Sequence, residues 1–551
     1  MKKWSTPEQL TDLLCELVRV PSINGSEAER AFPAWLSAQL SELSYFKAFP
    51  EHLQVHPTED GRSFVTALVK SGKPTARTAV LLSHFDVVET ECYSELQAHA
   101  FDVRTLTRLI RERKDELPDE AKADVEKGEW LFGRGVMDMK SGLALHMSMI
   151  ERASEGEFEG NVLLLAVPDE EVGSIGMRSA VPALVRMAEE RGLEYALVMN
   201  SEPMHLPEGD DASRYLEMGS TGKVLPSFLC FGMEAHVMEP FRGLNGNYMA
   251  SELARELELN DAFSERAEGH RTSPPTNLVQ RSLMKGYSVT LPYRTVAMFN
   301  LFMLETTVDR LMEPLLQAAR RAAAEIENGF AKRAQDHFGP SPAVPEYRVR
   351  VLAYEELLGL AVREFGETRV GRAIDAALRE LPAEADDREA AAAAVDAVAL
   401  LCRKLAPMIV LFFAPPFYPP ASSGRNPFVA GLAVEMSRFA KERYGIELKP
   451  SPYHGAMIDL SYVGMPEGTG SNRKLADNMP LWGSRYWIPF EAMERFRVPV
   501  MNFGPFGKDP HKWTERLECD YSFRILPDLM SACIAKALSD SNDRSSAYIV
   551  S

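Results

Sequence analysis

Three consecutive acids follow an apolar stretch in the first third of the chain. Asp169, Glu170 and Glu171 come directly after VLLLAV, a run typical of a buried strand. Adjacent carboxylates repel one another, and an unpaired carboxylate that leaves water costs several kcal/mol. Among nearby basic residues only Arg178 could pair with them. The stretch therefore predicts a bound metal ion or a retained proton, and Asp169 is the member that solvated turn chemistry explains most simply.

Other residues of metal-ligand type stand at the ends of apolar stretches or in loops. His84 and Asp86, in LLSHFDVVE, are two positions apart on a predicted strand, so that the carboxylate can orient a metal-bound imidazole. Asp138 lies in the glycine-bracketed loop GRGVMDMKSG, Glu202 ends an apolar strand at NSEP, and His511 lies in the turn DPHKWTE. Taken singly, each also suits a surface pair, a helix cap or a solvated loop residue.

The set as a whole favours a metal site. Oxygen and imidazole ligands suit zinc or manganese, and two metal ions that share a bridging carboxylate need about this many ligands. The six cysteines contain no CxxC pair, which excludes a cysteine-based zinc site of the usual spacing and suits a reducing compartment.

The elements around these residues predict an α/β fold. Short apolar runs alternate with helical patterns through the first 200 residues or so, which indicates a mostly parallel sheet with sites at the carboxyl ends of its strands. The texture changes near Tyr215, where YLEMGSTGKVLPSFLCFGMEAHV predicts a strand pair of a second unit. We predict a discontinuous catalytic domain, 1–215 and 422–551, with an inserted α+β domain at 216–421.

Composition limits the class of protein. The 551 residues carry 79 acids against 61 lysines and arginines, a formal charge of -18, without a basic block, so nucleic acid and anionic membranes are poor partners. The N-terminal segment has apolar residues at helical spacing interrupted by acids, and predicts an amphipathic helix instead of a signal sequence. No run approaches the roughly 20 apolar residues of a membrane span. We expect a cytoplasmic protein.

Six motifs in order resemble one known family. SHFDVV, GRGVMDMKSG, PDEEVGS, NSEP, GMEAHVMEP and DPHKWTE are similar to those of the co-catalytic zinc metallopeptidases, which include aminoacylases, carboxypeptidase G and succinyl-diaminopimelate desuccinylase. The size and texture of the chain resemble the arginine-utilisation (Roc-type) branch. The resemblance implies a mostly parallel-sheet catalytic domain with an inserted lid, which in many members also forms a dimer.

The resemblance also implies roles for individual residues. It implies two metal ions, expected as zinc with manganese or cobalt as alternatives, that share Asp138 as a bridging ligand. The first ion would have the ligands His84, Asp138 and Glu202, and the second would have Asp138, Glu171 and His511. Asp86 would orient His84, and Glu170 would be the general base. In the lid, His236 would reach a substrate carbonyl, often in a partner subunit, and Asn247 would contact substrate.

Two features depart from the family pattern. Phe302 falls where many members carry an arginine that binds the substrate carboxylate, and Arg294 is a nearby substitute. The helical segment at 357–405 is unusual for the family and has no predicted role. The function that we predict is hydrolysis of a small N-acyl amino acid or related amide; the alternatives are a dipeptidase or exopeptidase, and a non-catalytic metal-bound binding or scaffold protein.

Overall fold

The computed structural model describes residues 2–204, 213–340, 343–382, 384–464 and 472–539. The chain divides into two compact units. The first comprises Met1–Thr221, Pro420–Pro466 and Pro489–Ser551, and the second comprises Gly222–Pro419 and Glu467–Ile488. The inserted domain was predicted at 216–421, so the second unit also includes a later stretch, Glu467–Ile488, that was not predicted.

The strands are, in chain order, β1 Leu53–Pro57, β2 Ser63–Val69, β3 Arg77–His84, β4 Trp130–Phe132, β5 Asn161–Val167, β6 Glu194–Asn200, β7 Arg214–Glu217, β8 Gly219–Ser220, β9 Gly222–Phe231, β10 Arg266–Ala267, β11 His270–Arg271, β12 Thr276–Ser282, β13 Arg294–Met303, β14 Arg350–Ala353, β15 Met408–Tyr418, β16 Ala421–Ser422, β17 Leu448–Ser451, β18 Val500–Asn502, β19 Gly507–Lys508 and β20 Arg516–Glu518.

The α-helices are, in chain order, α1 Pro7–Arg19, α2 Glu27–Ser41, α3 Ser44–Ala48, α4 Val103–Glu112, α5 Asp119–Lys127, α6 Lys140–Ser154, α7 Ile175–Arg191, α8 Gly246–Leu257, α9 Val308–Phe338, α10 Tyr354–Phe365, α11 Glu367–Arg379, α12 Asp387–Leu401, α13 Pro427–Tyr444, α14 Arg473–Asn478, α15 Phe490–Arg495 and α16 Leu526–Leu538. None of these helices has both the length and the apolar character that crossing a membrane requires.

The first unit is built, within the described residues, on an eight-stranded sheet in the order β1-β2-β5-β3-β6-β18-β7-β17. Its central pairings, β5 with β3, β3 with β6 and β6 with β18, are parallel. Strands β3 and β5 are buried almost throughout, as the Val- and Leu-rich sequence predicts for strands covered on both faces. The predicted mostly parallel α/β fold is confirmed.

Helices of the first unit cover this sheet. α6 and α16 pack against β3, α7 packs against β5, and α1 packs against α6 with the apolar face that its spacing predicted. β7, predicted to belong to the second unit, instead joins the first sheet because it pairs with β17 and β18. The carboxyl ends of β3, β5 and β6 meet at one edge, which is where site residues were expected.

The second unit has, in its described part, a five-stranded sheet in the order β12-β13-β9-β15-β14. α8 contacts β9, β12 and β13, and the long helix α9 packs against α8. The helices of the unusual 357–405 segment form one hydrophobic core with alternate residues of β9, β13 and β15. They therefore cover one face of the sheet, while α8, through a hydrogen bond from Thr295 to Asn247, lies on the other.

Candidate metal centre

The carboxyl end of β3 carries the first predicted site residues. His84 is the last residue of the strand, and its side chain is fully buried. Its Nδ1 atom donates to the main-chain oxygen of Asp86 at 3.1 Å and lies 3.4 Å from the Asp86 carboxylate. This contact selects one tautomer and turns Nε2 toward the acids beyond the strand end.

Asp86 also holds the acidic turn after β5. Its carboxylate accepts the main-chain N–H of Glu170 at 3.0 Å and that of Glu171 at 3.2 Å. The two glutamate side chains diverge from there. Glu171 Oε2 lies 3.1 Å from His511 Nε2, while Glu170 Oε2 lies 4.0 Å from His84 Nε2. Neighbours in sequence thus face different imidazoles.

Asp169 is not the solvated turn residue that its sequence context predicted. Its buried carboxylate pairs with Arg62 Nη1 at 2.9 Å, accepts from Asn24 Nδ2 at 3.0 Å and accepts the main-chain N–H of Ile175 at 2.9 Å. Asn24 Nδ2 also donates to Asp86 at 2.9 Å. The prediction was wrong because the two side-chain partners, Arg62 and Asn24, come from distant parts of the chain, and local spacing carries no signal for them.

Asp138 lies between the two histidines. Its Oδ1 atom is 3.3 Å from His84 Nε2, and its Oδ2 atom is 3.3 Å from His511 Nε2. α6 begins two residues later with Met139 at its N-cap, so the helix-cap explanation of Asp138 does not apply. One carboxylate oxygen for each imidazole is the arrangement that a bridging metal ligand offers.

Glu202 follows β6 at the same edge of the sheet. Its Oε1 atom lies 3.2 Å from His84 Nε2. Its main-chain N–H donates to Asn502 Oδ1 at 2.9 Å, and its carbonyl accepts from Asn502 Nδ2 at 3.1 Å. Asn502 ends β18, the parallel neighbour of β6. Strand pairing therefore fixes the main chain that carries Glu202.

His511 comes from the turn between β19 and β20. Its φ of 65° lies in the left-handed region that non-glycine residues seldom adopt. Half of its side chain is exposed, whereas the acids that it faces are buried. Hydrogen bonds to Asp138 and Glu171 raise the pKa of His511 to about 11.

The five predicted ligands form two overlapping groups that share Asp138. One ligand atom from each of His84, Asp138 and Glu171 lies within 4.8 Å of the other two, which makes this a candidate metal site. The first group is His84, Asp138 and Glu202, and the second is Asp138, Glu171 and His511.

The pKa values of the acids in the centre are shifted in different directions. Burial raises the pKa of Glu171 to about 7. Burial also raises the pKa of Glu170 well above its usual value, although His84 opposes the shift. Burial would raise the pKa of Asp138 too, but its hydrogen bonds to His511 and His84 lower it. In the metal-free protein Asp138 is therefore ionised while Glu170 holds a proton readily.

The residues present fit a pair of metal ions. In the described part of the chain, no lysine or arginine forms an ion pair with Asp138, Glu171 or Glu202. Glu202 Oε1 is buried without a hydrogen bond of standard geometry to a described residue. A buried excess of carboxylates calls for cations, and carboxylate with imidazole donors suits zinc, manganese or cobalt.

Two predicted site residues lie in the second unit. His236 is exposed, and its Nδ1 atom accepts the main-chain N–H of Met238 at 3.2 Å. Asn247 is the second residue of α8, and its Oδ1 atom accepts the Thr295 hydroxyl at 2.7 Å. Their contacts with substrate stay predictions.

The position expected to hold a carboxylate-binding arginine has a different neighbourhood. Phe302 pairs with Lys223 in the register of β13 and β9. Arg294, the suggested substitute, already forms an ion pair with Asp396 of α12, with Nη1 and Oδ2 2.5 Å apart. The 357–405 segment thus contributes the partner of Arg294 as well as a helical layer.

Asp459 is a buried acid that the sequence pattern did not identify. It begins the 3₁₀ turn Asp459–Tyr462 and is 1% exposed, and neither carboxylate oxygen makes a hydrogen bond of standard geometry to a described residue. Burial raises its pKa well above the usual value, with His84 and the nearby Ser174 hydroxyl opposing and Glu202 adding. A lone aspartate in HGAMIDLSY carries no spacing signal.

Comparison with known proteins matches the chain to one family and to two relatives over most of its length. Residues 80–410 match the model of the family described as "Peptidase family M20/M25/M40". The chain is 43% identical over 539 residues to the uncharacterized protein YqjN of Bacillus subtilis, covering 98% of each chain. It is 28% identical over 541 residues to Protein RocB of the same organism, covering 95% of this chain and 94% of the relative.

A solved structure has the same fold. The M20 family metallo-carboxypeptidase Sso-CP2 from Sulfolobus solfataricus aligns with a TM-score of 0.55 at 14% identity, covering 96% of this chain and 99% of that one.

Proposed function

The chain belongs to peptidase family M20/M25/M40, and from that premise we propose that it hydrolyses the amide bond of a small N-acyl amino acid or related amino-acid amide. Membership makes it a hydrolase. The observation that carries the proposal is the position of Asp138, one oxygen of which lies 3.3 Å from His84 and the other 3.3 Å from His511.

Five residues would hold two metal ions, with zinc as the proposed identity. His84, Asp138 and Glu202 would bind one ion, and Asp138, Glu171 and His511 the other. When bound, such ions lower the pKa of water toward neutrality and polarise a carbonyl oxygen. Asp86 would keep the Nδ1 proton of His84 in place through the contact at 3.1 Å to its main-chain oxygen.

Glu170 would handle the proton. Its buried carboxyl has a pKa raised by burial, so that it can take a proton from the attacking water and give it to the leaving amine. Glu171 contacts His511 and could not serve both roles.

Two residues of the second unit would act on the substrate. His236 would bring an imidazole to the substrate carbonyl oxygen from a partner subunit, and Asn247 would contact substrate. Sedimentation that shows only monomer would remove this role of His236.

Two residues of the second unit and one relative support the proposed class of substrate. Phe302 occupies the position expected for a carboxylate-binding arginine, and Arg294 already pairs with Asp396. Both observations favour a substrate whose carboxylate is not bound by an arginine at this position. The identity with Protein RocB supports the Roc-type branch and so a place in arginine catabolism. We also propose a cytoplasmic location, which suits six cysteines without disulfides among the described residues.

A substrate panel tests the proposal. Release of free amine from dipeptides and from N-acyl amino acids is measured by LC-MS, with zinc-loaded protein against a chelated control. We expect metal-dependent release from the N-acyl class. Release from dipeptides alone would replace the proposal with a dipeptidase, and binding of intact amide without release would favour the binding-protein alternative.

The Glu170→Gln variant tests the mechanism. A general base contributes about 10²- to 10⁴-fold to rate, so turnover should fall by that factor while the metal content stays at the wild-type value. Glu190→Gln, on the exposed side of α7, is the matched control and should keep full activity. Turnover within threefold of wild type in Glu170→Gln would remove the residue from the mechanism.

A further inference from the structure

A buried ion pair lies beside the centre and belongs to neither group of ligands. Arg134 Nη1 and Glu515 Oε2 are 2.5 Å apart, and both side chains are 1% exposed or less. Arg134 lies in the loop that carries Asp138, and Glu515 lies in the turn that carries His511. The two residues are 381 positions apart in sequence, so the pair joins segments that the chain order separates.

Glu515 holds the Asp138 loop. Its Oε1 atom accepts the main-chain N–H of Gly135 at 2.8 Å and, at 3.5 Å, that of Met137, the residue before Asp138. Gly135 has φ of 79°, a conformation open to glycine and strained for other residues. The carboxylate of Glu515 thus replaces the hydrogen bonds that this irregular loop cannot make within itself.

Arg134 holds the His511 turn. Its Nη2 atom donates to the main-chain oxygen of His511 at 3.1 Å, and also to that of Glu89 at 3.2 Å. His511 and Asp509 have positive φ values of 65° and 59°, so the turn stores backbone strain that outside contacts must hold. The exposed thiol of Cys92 lies 3.1 Å from the same Nη2 atom.

The first group of ligands is held by other elements. His84 is the end of β3, and Glu202 is fixed through Asn502 at the end of β18. Neither depends on the turn between β19 and β20. Loss of the Arg134–Glu515 pair would therefore displace His511 and release the loop of Asp138, while His84 and Glu202 stay in place. Two of the three ligands of the second group would then lose support, against one of the first.

We propose that the Arg134–Glu515 ion pair is a positioning device that sets the affinity of the second metal position, that of Asp138, Glu171 and His511, more strongly than that of the first. The pair holds the His511 turn, which only the second position uses, as well as the loop of the shared Asp138. The proposal rests on the metal assignment under Proposed function. It predicts a protein that holds one metal ion in place of two when the pair is removed, which a general loss of stability would not produce.

The decisive variant replaces both partners. Loss of one partner leaves an uncompensated buried charge, whereas exchange of both for apolar residues of similar size often keeps or raises stability. Arg134→Met with Glu515→Leu leaves no unpaired buried charge and should still fold. It should melt below wild type in chelator, because the Gly135 N–H and the His511 carbonyl lose these partners. Arg134→Lys is the second variant, because an ammonium keeps the charge but cannot contact Glu515 and the His511 carbonyl together. Cys92→Ser is the control, because a serine hydroxyl can keep both contacts of the thiol, with the guanidinium and with the His511 carbonyl.

The measured quantity is the number of zinc ions bound per chain. It is determined by inductively coupled plasma mass spectrometry after dialysis against a series of buffered zinc concentrations. Wild type and Cys92→Ser should bind two ions. Arg134→Lys, which leaves Glu515 on the Asp138 loop, should bind the first ion with wild-type affinity and the second at least tenfold more weakly. The double variant, which also releases that loop, should lose at least tenfold more affinity for the second ion than for the first. Two ions at wild-type affinity in the folded double variant, or in Arg134→Lys, would overturn the positioning role alone. Fewer than two ions in wild type would overturn the two-metal centre, and the positioning role with it.

Discussion

At the scale of single residues, the adjacent glutamates show how a short motif divides its work. Asp86 fixes both peptide groups, so Glu171 reaches His511 and Glu170 stays near His84. A ligand must stay ionised next to a cation, whereas a base must exchange a proton. In the proposed mechanism one turn supplies both, because the side chains of Glu170 and Glu171 leave the main chain in different directions.

Asp459 makes a prediction about stability. Its pKa is raised by burial, so the unfolded chain ionises it more readily than the folded protein does, and stability falls as pH rises above the usual carboxyl range. Asn resembles the neutral acid at every pH. Asp459→Asn should raise the free energy of unfolding of the chelated protein at pH 8 by about 2 kcal/mol, with little change at pH 4. Denaturant unfolding at both pH values measures this.

Asp169→Asn is the matched control for that variant. Asp169 is an equally buried aspartate of the same unit, but it pairs with Arg62 at 2.9 Å. Burial raises the pKa of Asp169 too, but Arg62 opposes the shift, so its exchange should raise the free energy of unfolding at pH 8 by less than Asp459→Asn does. A lower unfolding free energy for Asp459→Asn at pH 8 would mean that the Asp459 carboxylate makes a net favourable contact in the absence of metal.

At the scale of elements, a histidine of α6 joins the strands that end at the centre. His146 is fully buried, and its two ring nitrogens lie 2.7 Å from the Ser83 hydroxyl and 2.8 Å from the Ser201 hydroxyl. These serines precede His84 and Glu202 directly. The helix therefore ties the carboxyl ends of β3 and β6 together one residue before the proposed ligands.

His146 should make the stability of the first unit depend on pH. Burial lowers its pKa from 6.5 to about 3, so the unfolded chain binds the extra proton between these values. The stability that neutral His146 contributes is complete above pH 6.5 and declines as pH falls. Between pH 7.5 and 5 the decline is about 2 kcal/mol. Urea unfolding of chelated His146→Gln should lack this part of the slope, and an unchanged slope would contradict the assignment.

What the sequence could predict follows from periodicity and local motifs. Apolar runs identified β3, β5 and β6 and hence the edge where His84, Glu171 and Glu202 lie. Asn24, Arg62 and Asp459 had no such signal, because their partners come from distant stretches and only the folded chain brings them together. The environment of Asp169 was predicted wrongly for the same reason.

At the scale of the whole molecule, the two units differ in architecture. The first has the proposed metal ligands at one edge of a mostly parallel sheet. The second covers both faces of its sheet with helices, and the 357–405 segment forms one of these layers. That layer gave a clear helical pattern but no indication of what it covers. The return of 467–488 to the second unit was not predicted, although the stretch PEGTGSN at 466–472 has the composition of a linker.

Anomalous diffraction from zinc-loaded crystals tests the central claim, that Asp138 bridges two metal ions. We expect two peaks at the zinc edge about 3.5 to 4 Å apart, each within about 2.2 Å of one Asp138 oxygen. One peak should contact His84 and Glu202, and the other Glu171 and His511. A single peak, or two peaks that do not share Asp138, would contradict it.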